Sequence, residues 1–250
     1  MGSIFIGGAV FLCLVGASLL GIFLRGRIPL HHLDSESKDV IRLATAVVGT
    51  LSALALGLLI ASAKNVYDTT DAELRSSAAR VVLLDRVMAQ YGPETTMARA
   101  RLRDLIEVRL RQEEWGDAVV DPYDVSQTIE PIQAELRALV PKDDAHRMIQ
   151  MRALAVSGNL AEAHWMTVET DTEGLPTAFL VILVFWLALL FATFGLQAPA
   201  NLTVVSVILV CSLSVAAGVF LVVDMAHPYI GVIHVSDAPL RSVLAHIGNR

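Results

Sequence analysis

Cysteine is nearly missing from this chain: Cys13 and Cys211 are the two present in 250 residues. Both fall inside apolar stretches, so they build no disulfide framework and no metal-ligand spacing, and redox compartment cannot be read from them. Also missing are an HExxH pair, a Gly-rich phosphate loop and a nucleophile with a base beside it. These absences argue against an enzyme, and no cofactor or metal is expected. Positive charge is in the minority, with 19 Lys/Arg against 25 Asp/Glu. Residues 64–174 alone hold 13 Lys/Arg against 20 Asp/Glu, a net of −7. A surface this acidic excludes nucleic acid as a partner.

What the chain has in excess is apolar sequence, 54% hydrophobic residues with a mean hydropathy of +0.58, gathered in blocks. A hydrocarbon core of about 30 Å needs roughly 20 apolar residues in a helix. Four charge-free stretches meet that length: 4–24, 43–63, 175–196 and 202–223. The first is read as an anchor and not a signal peptide. It lacks a basic lead, its apolar part is too long, and Arg25 and Arg27 stand where cleavage would occur. The expected fold is all-α, a polytopic membrane protein with four transmembrane helices and a helical extramembrane domain between helices two and three. The expected segments are a transmembrane hairpin at 1–63, the helical domain at 64–174, a second hairpin at 175–224 and an amphipathic tail at 225–250. The lipid bilayer is the first partner.

The stretch 38–91 organises the rest. Its apolar half, 43–63, passes into the polar helix-forming half without Gly or Pro at the junction, which predicts one continuous rod. Inside the apolar half Thr45, Gly49, Ala53, Gly57 and Ala61 recur at every fourth position. Small residues at this spacing let another backbone come close, because helix association in lipid rests on close packing. The row marks an oligomer seam, an intramolecular seam or the narrow part of a pore. The first span repeats the device with Ala9, Cys13, Ala17 and Gly21, which predicts a tight hairpin between spans one and two. Span four shows a third small face at Cys211, Ser214 and Gly218.

Between the first two spans, His31 and His32 lie near Asp34, and adjacent residues on a turn rarely converge on one ion. They are read as a solvated loop, and Asp34 or Ser35 as the cap of a short helix that enters span two. Just past residue 63, Asp68 and Asp71 are neighbours on a helix. Repeated around an oligomer they could attract cations or hold Ca²⁺, although ordinary solvated acids are the plainer reading. Leu74, Val81, Leu84, Met88 and Tyr91 continue an apolar face until Tyr91-Gly92-Pro93 stops the rod. Thr95 or Thr96 opens the next helix, whose Arg99, Arg103, Glu107 and Arg111 form a salt-bridged row. Residues 116–124 read as a loop. Pro131 should kink or split a helix near 125–139. Residues 145–168 make one long helix or two around Ser157-Gly158-Asn159.

Span three is rich in aromatics, Phe179, Phe185, Trp186, Phe191 and Phe194, expected to face lipid or a neighbouring helix. Residues 195–201 leave room for a turn only, so spans three and four form a hairpin. Asp224 ends span four, where a charge near hydrocarbon is costly and needs a partner: His227, Arg241 or a cation. Pro228 breaks the span, 232–235 reads as a short strand, and Ser236 or Asp237 caps a last helix. Its Leu240, Val243, Leu244 and Ile247 fit either the membrane surface or the helical domain.

Several stretches then look familiar together. Thr50-Leu51-Ser52-Ala53-Leu54-Ala55-Leu56-Gly57 running on to Lys64, Leu84-Asp85-Arg86-Val87 with Tyr91-Gly92-Pro93-Glu94, Phe185-Trp186, Phe194-Gly195-Leu196-Gln197-Ala198-Pro199-Ala200-Asn201 and Ala238-Pro239-Leu240-Arg241 resemble the bacterial family described as a bestrophin-like domain. The resemblance covers nearly the whole chain. It implies bestrophins as distant relatives: homopentameric anion channels with four spans per subunit, a helical domain between spans two and three, and a pore lined by span two. Self-association, inorganic ions and the bacterial inner membrane follow from the same resemblance. Counting Lys and Arg near span ends gives Arg25, Arg27, Lys38 and Arg42 on one side and Lys64, Arg75, Arg80 and Arg241 on the other, a tie. The resemblance implies that the helical domain is cytoplasmic. The two functions to weigh are a homo-oligomeric ion channel and a membrane-anchored helical interaction or sensing protein without transport.

Overall fold

The computed structural model describes residues 2–27, 35–115, 128–170, 177–199, 201–227 and 231–247, and every regular element among them is helical. In chain order these are α1 (Gly2–Arg25), α2 (Ser35–Tyr91), a 3-10 turn at Pro93–Thr95, α3 (Thr96–Trp115), α4 (Glu130–Ala138), α5 (Asp144–Thr170), α6 (Thr177–Gln197), α7 (Leu202–Met225) and α8 (Ala238–His246). Four of them, α1, α2, α6 and α7, are long and apolar enough to cross a bilayer. The chain is therefore an all-α membrane protein with four candidate spans. His31, His32, Asp34, the loop 116–124 and Pro228 lie outside the described residues.

The residues group into two compact units, Met1–Asp68 with Gly174–His234, and Thr69–Glu173 with Val235–Arg250. The expected 225–250 tail divides between them. In the first unit α1 packs against α6 and α7. Its buried row is Gly7, Val10, Leu14, Ser18 and Gly21, whereas Ala9 and Cys13 are exposed. The expected row Ala9, Cys13, Ala17 and Gly21 thus has the wrong phase. At 3.6 residues per turn each four-residue step turns about 40° around the helix, so such a row leaves a neighbour lying nearly parallel. Spacings of three and four together follow the contact.

The closest approach in this unit is between α1 and α6, and the close packing expected of α1 with α2 is found here instead. A Cβ on Gly21 would meet the backbone of α6 at the carbonyl oxygen of Ala192 and, at 2.9 Å, the nitrogen of Leu196. A Cβ on Gly195 would meet the carbonyl oxygen of Ser18 and, at 3.0 Å, the nitrogen of Ile22. The two glycines let the main chains touch, which is the contact available to helices in lipid. On α7 the buried face is Ile208, Ser212, Ala216, Val219 and Val222; of the small residues, Cys211 and Ser214 are exposed and Gly218 faces Leu56 of α2, 3.6 Å from where a Cβ would be. Asn201 caps α7 by accepting from the Val204 N–H at 2.9 Å. The aromatics of α6 largely face outward, as expected, with Phe191 as the buried exception.

The second unit has its own core. Ala78, Val81, Leu84, Val87 and Met88 of α2 pack with Ala98, Leu102, Ile106 and Leu110 of α3, Ile132 and Leu136 of α4, and Ala153 and Val156 of α5. Leu240, Val243 and Ile247 join the same core, which places α8 on the helical unit. Arg103 donates to the carbonyl of Ile247, the residue just past α8, at 3.1 Å. At the end of α2, Gly92 has φ of 125°, a left-handed conformation that glycine adopts without strain. The buried Thr95 hydroxyl donates toward the Met88 carbonyl at 2.6 Å, closing an otherwise orphaned helix end.

Two local expectations are corrected and one open alternative is decided. Pro131 does not kink a helix, because α4 begins at Glu130 and the proline sits in its first turn, where the missing N–H has no partner to lose. Of the one or two helices expected over 145–168 the structure has one, since α5 runs through Ser157-Gly158-Asn159. Residues 232–235 form no strand: the N–H groups of Val232 and Ile233 are taken by a side chain, and their carboxylate partner leaves none for a ladder.

Candidate functional site

The candidate pore residues lie on α2, and the first unit divides them. One face of the helix, comprising Val48, Ser52, Ala55, Leu56, Leu59 and Ala63, packs against the cores shared with α6 and α7. Its successive spacings of four, three, one, three and four keep one bearing along 15 residues. Ser52 is buried and its hydroxyl donates to the Val48 carbonyl at 2.8 Å, so the polar group is satisfied inside its own helix. The small row turns away from this face as it runs. Thr45 donates to the Ile41 carbonyl at 2.7 Å and stands 3.4 Å from the Thr193 hydroxyl of α6. Gly49 faces Leu190 of α6, 3.9 Å from where a Cβ would be. Ala53, Gly57 and Ala61 are exposed, and nothing lies within 4 Å of a Cβ built on Gly57. The first two positions are thus an intramolecular seam, and the last three an open face.

The three candidate ion-contact acids are held differently. Asp68 is paired with Lys64, and Asp71 with Arg75 at 3.0 Å, both four residues apart on α2. Asp224 is fully buried at the end of α7. Its Oδ1 accepts from the Ser3 hydroxyl at 2.6 Å and the Val232 N–H at 3.0 Å, and its Oδ2 from the Ile233 N–H at 2.7 Å. Gly231 fits against it so closely that a Cβ there would stand 2.9 Å from the carboxyl carbon. The expected partners are corrected: His227 directs its ring Nδ1 to the Val223 carbonyl at 2.9 Å, and Arg241 pairs with Asp237 at 2.6 Å. Three donors on one carboxylate replace the hydration that the charge loses. Among the described residues no group of three or more His, Cys, Asp or Glu is placed to hold a metal.

The helical unit holds the charges expected to form a salt-bridged row on α3. Arg99 leaves that row to grip the buried Asp85 of α2 with two bonds, Nε to Oδ1 at 2.7 Å and Nη2 to Oδ2 at 3.1 Å. Arg103 and Arg111 both reach Glu107, and Arg101 reaches Glu135 at 3.2 Å. Glu94 is held below the usual carboxylate range by its hydrogen bond from Lys142, and Asp143 by the backbone N–H and the ring of His146. Asp85 was legible as part of a family motif, but its partner 14 residues on was not.

Four candidate spans and a separately cored helical unit define a polytopic α-helical membrane protein. The chain belongs to the Bestrophin-like family: the sequence model of the Bestrophin-like domain matches residues 12–240. No curated protein and no solved structure matches it.

Proposed function

We propose that this chain forms a homo-oligomeric ion channel of the bacterial inner membrane, with α2 of each subunit lining the pore. The observation that carries the reading is the two-sided character of α2. One face is occupied by α6 and α7, while Ala53, Gly57 and Ala61 stay uncovered with open space beside Gly57. Small side chains gain little from lipid, but they let copies of the same helix approach around an axis or leave an opening between them. Because the row carries no charge, it needs no counter-ion inside the membrane, and an apolar constriction can gate by dewetting. Anion conduction and a fivefold assembly are carried from the bestrophin relation.

The test is current from purified protein in planar bilayers. Wild-type protein is expected to conduct, with a reversal potential that follows the chloride gradient. Gly57→Leu is expected to cut conductance at least about tenfold or to break the assembly, since a bulky side chain fills the approach. A Gly57→Leu protein with unchanged size and unchanged current overturns the pore assignment. A wild-type protein silent under varied voltage, pH and Ca²⁺ leaves the other reading, a membrane anchor for the acidic helical unit.

A further inference from the structure

One end of the membrane unit gathers arginines. Arg25 closes α1, is exposed, and directs Nη1 to the Gln197 carbonyl that ends α6, at 3.4 Å. Arg27 is exposed two residues later, and its guanidinium lies 4.6 Å from the centre of the Phe23 ring. That ring is 55% exposed on a helix whose opposite face is packed, so it looks outward to where acyl chains would lie. Arg42 belongs to the same end. Thr45, one turn along α2, meets Thr193, one turn before Gln197. The Arg42 side chain is 72% exposed and lies 3.8 Å from the similarly exposed Asp39.

The contrast with the far end of the same span is informative. There Lys64 is paired directly with Asp68. At the near end Arg42 has the exposed Asp39 at 3.8 Å, while Arg25 and Arg27 rest on a carbonyl and a ring, neither of which cancels a full charge. A guanidinium retains its charge and presents planar donors that suit phosphate oxygens in pairs. The Phe23 ring holds the Arg27 guanidinium against an apolar surface.

We infer that Arg25, Arg27 and Arg42 form a docking surface for the phosphate headgroups of anionic phospholipid, with the acyl chains beside Phe23 and the exposed Leu19 and Leu20. The surface is independent of the channel reading, since it needs neither a pore nor an assembly. It gives this end of the membrane unit a preference for a leaflet rich in anionic lipid. A free phosphate ion would satisfy the charges, but it would leave the exposed apolar flank unused.

The experiment uses the full chain in detergent, titrated with dioleoyl-phosphatidylglycerol or dioleoyl-phosphatidylcholine and read by native mass spectrometry. Phosphatidylglycerol should be retained preferentially, and R25Q/R27Q/R42Q should weaken its binding about fivefold for each arginine removed. R25K/R27K/R42K keeps the charge and should keep most of the binding, which separates loss of the patch from loss of the fold. R75Q/R80Q removes two cations elsewhere and should change nothing. Equal retention of the two lipids overturns the inference, as does unchanged binding in the Gln variant. Equal losses in R75Q/R80Q, or displacement of the lipid by inorganic phosphate at matching concentration, overturn it as well.

Discussion

Asp224 shows how hydrogen-bond donors gathered from distant parts of the chain hold a buried carboxylate at the end of a span. Its carboxylate is completely buried and takes one hydroxyl and two backbone donors from residues that are otherwise unconnected, Ser3 and the 231–233 segment. Hydrogen bonds to a charged group contribute about 1.5–3 kcal/mol each, and a buried donor left alone costs about 1–3 kcal/mol. Asp224→Ala strands three donors at once and should lower stability by several times the cost of Ser3→Ala, which strands none of the backbone groups. Thermal unfolding of both variants in one detergent checks the order, and equal losses would mean that the carboxylate is not the hub. Ser212 presents the opposite case, a buried hydroxyl with no hydrogen-bond partner.

Among the helices, the crossing of α1 and α6 is the most demanding contact. Gly21 and Gly195 each sit against the other helix's main chain, where a Cβ has no room. Backbone atoms cannot swing aside as the end of a side chain can, so even Gly195→Ala must push the helices apart. The loss falls on a contact made by packing alone, and overpacking of this kind costs about 1–3 kcal/mol. Gly16→Ala is the matched control, because nothing lies within 4 Å of a Cβ there. Gly195→Ala should unfold at a lower temperature and Gly16→Ala should not; indistinguishable melting of the two would show that the helices part easily.

Among the described residues the buried side chains divide between the two units, one set from α1, α6, α7 and the packed face of α2, the other from α3, α4, α5, α8 and the end of α2. Separate cores predict separate cooperative losses. Leu102 is fully buried in the helical unit, and Leu102→Ala should destabilise that unit by about 2–5 kcal/mol. Hydrogen exchange followed by mass spectrometry should then show faster exchange in α3 and α5, with α1 and α6 unchanged. Acceleration spread evenly over all helices would mean that the two cores melt as one.

Sequence alone was enough for the number of spans, their helical nature and most of their ends. An apolar run as long as the bilayer is thick has no other way to satisfy its backbone than to be helical, and Tyr91-Gly92-Pro93 stops α2 through chemistry confined to three residues. The same reading failed at Pro131, because a proline that breaks the middle of a helix also suits its first turn, and the pattern does not say which position it holds. It placed the small residues but not their partners. Helical periodicity relates faces along one helix and leaves open which face meets which neighbour, so Gly21 was expected to serve α2 and serves α6. Folding in three dimensions settled those pairings, including Ser3 with Asp224 across 221 residues, because burial and hydrogen bonding depend on groups that chain order does not bring together.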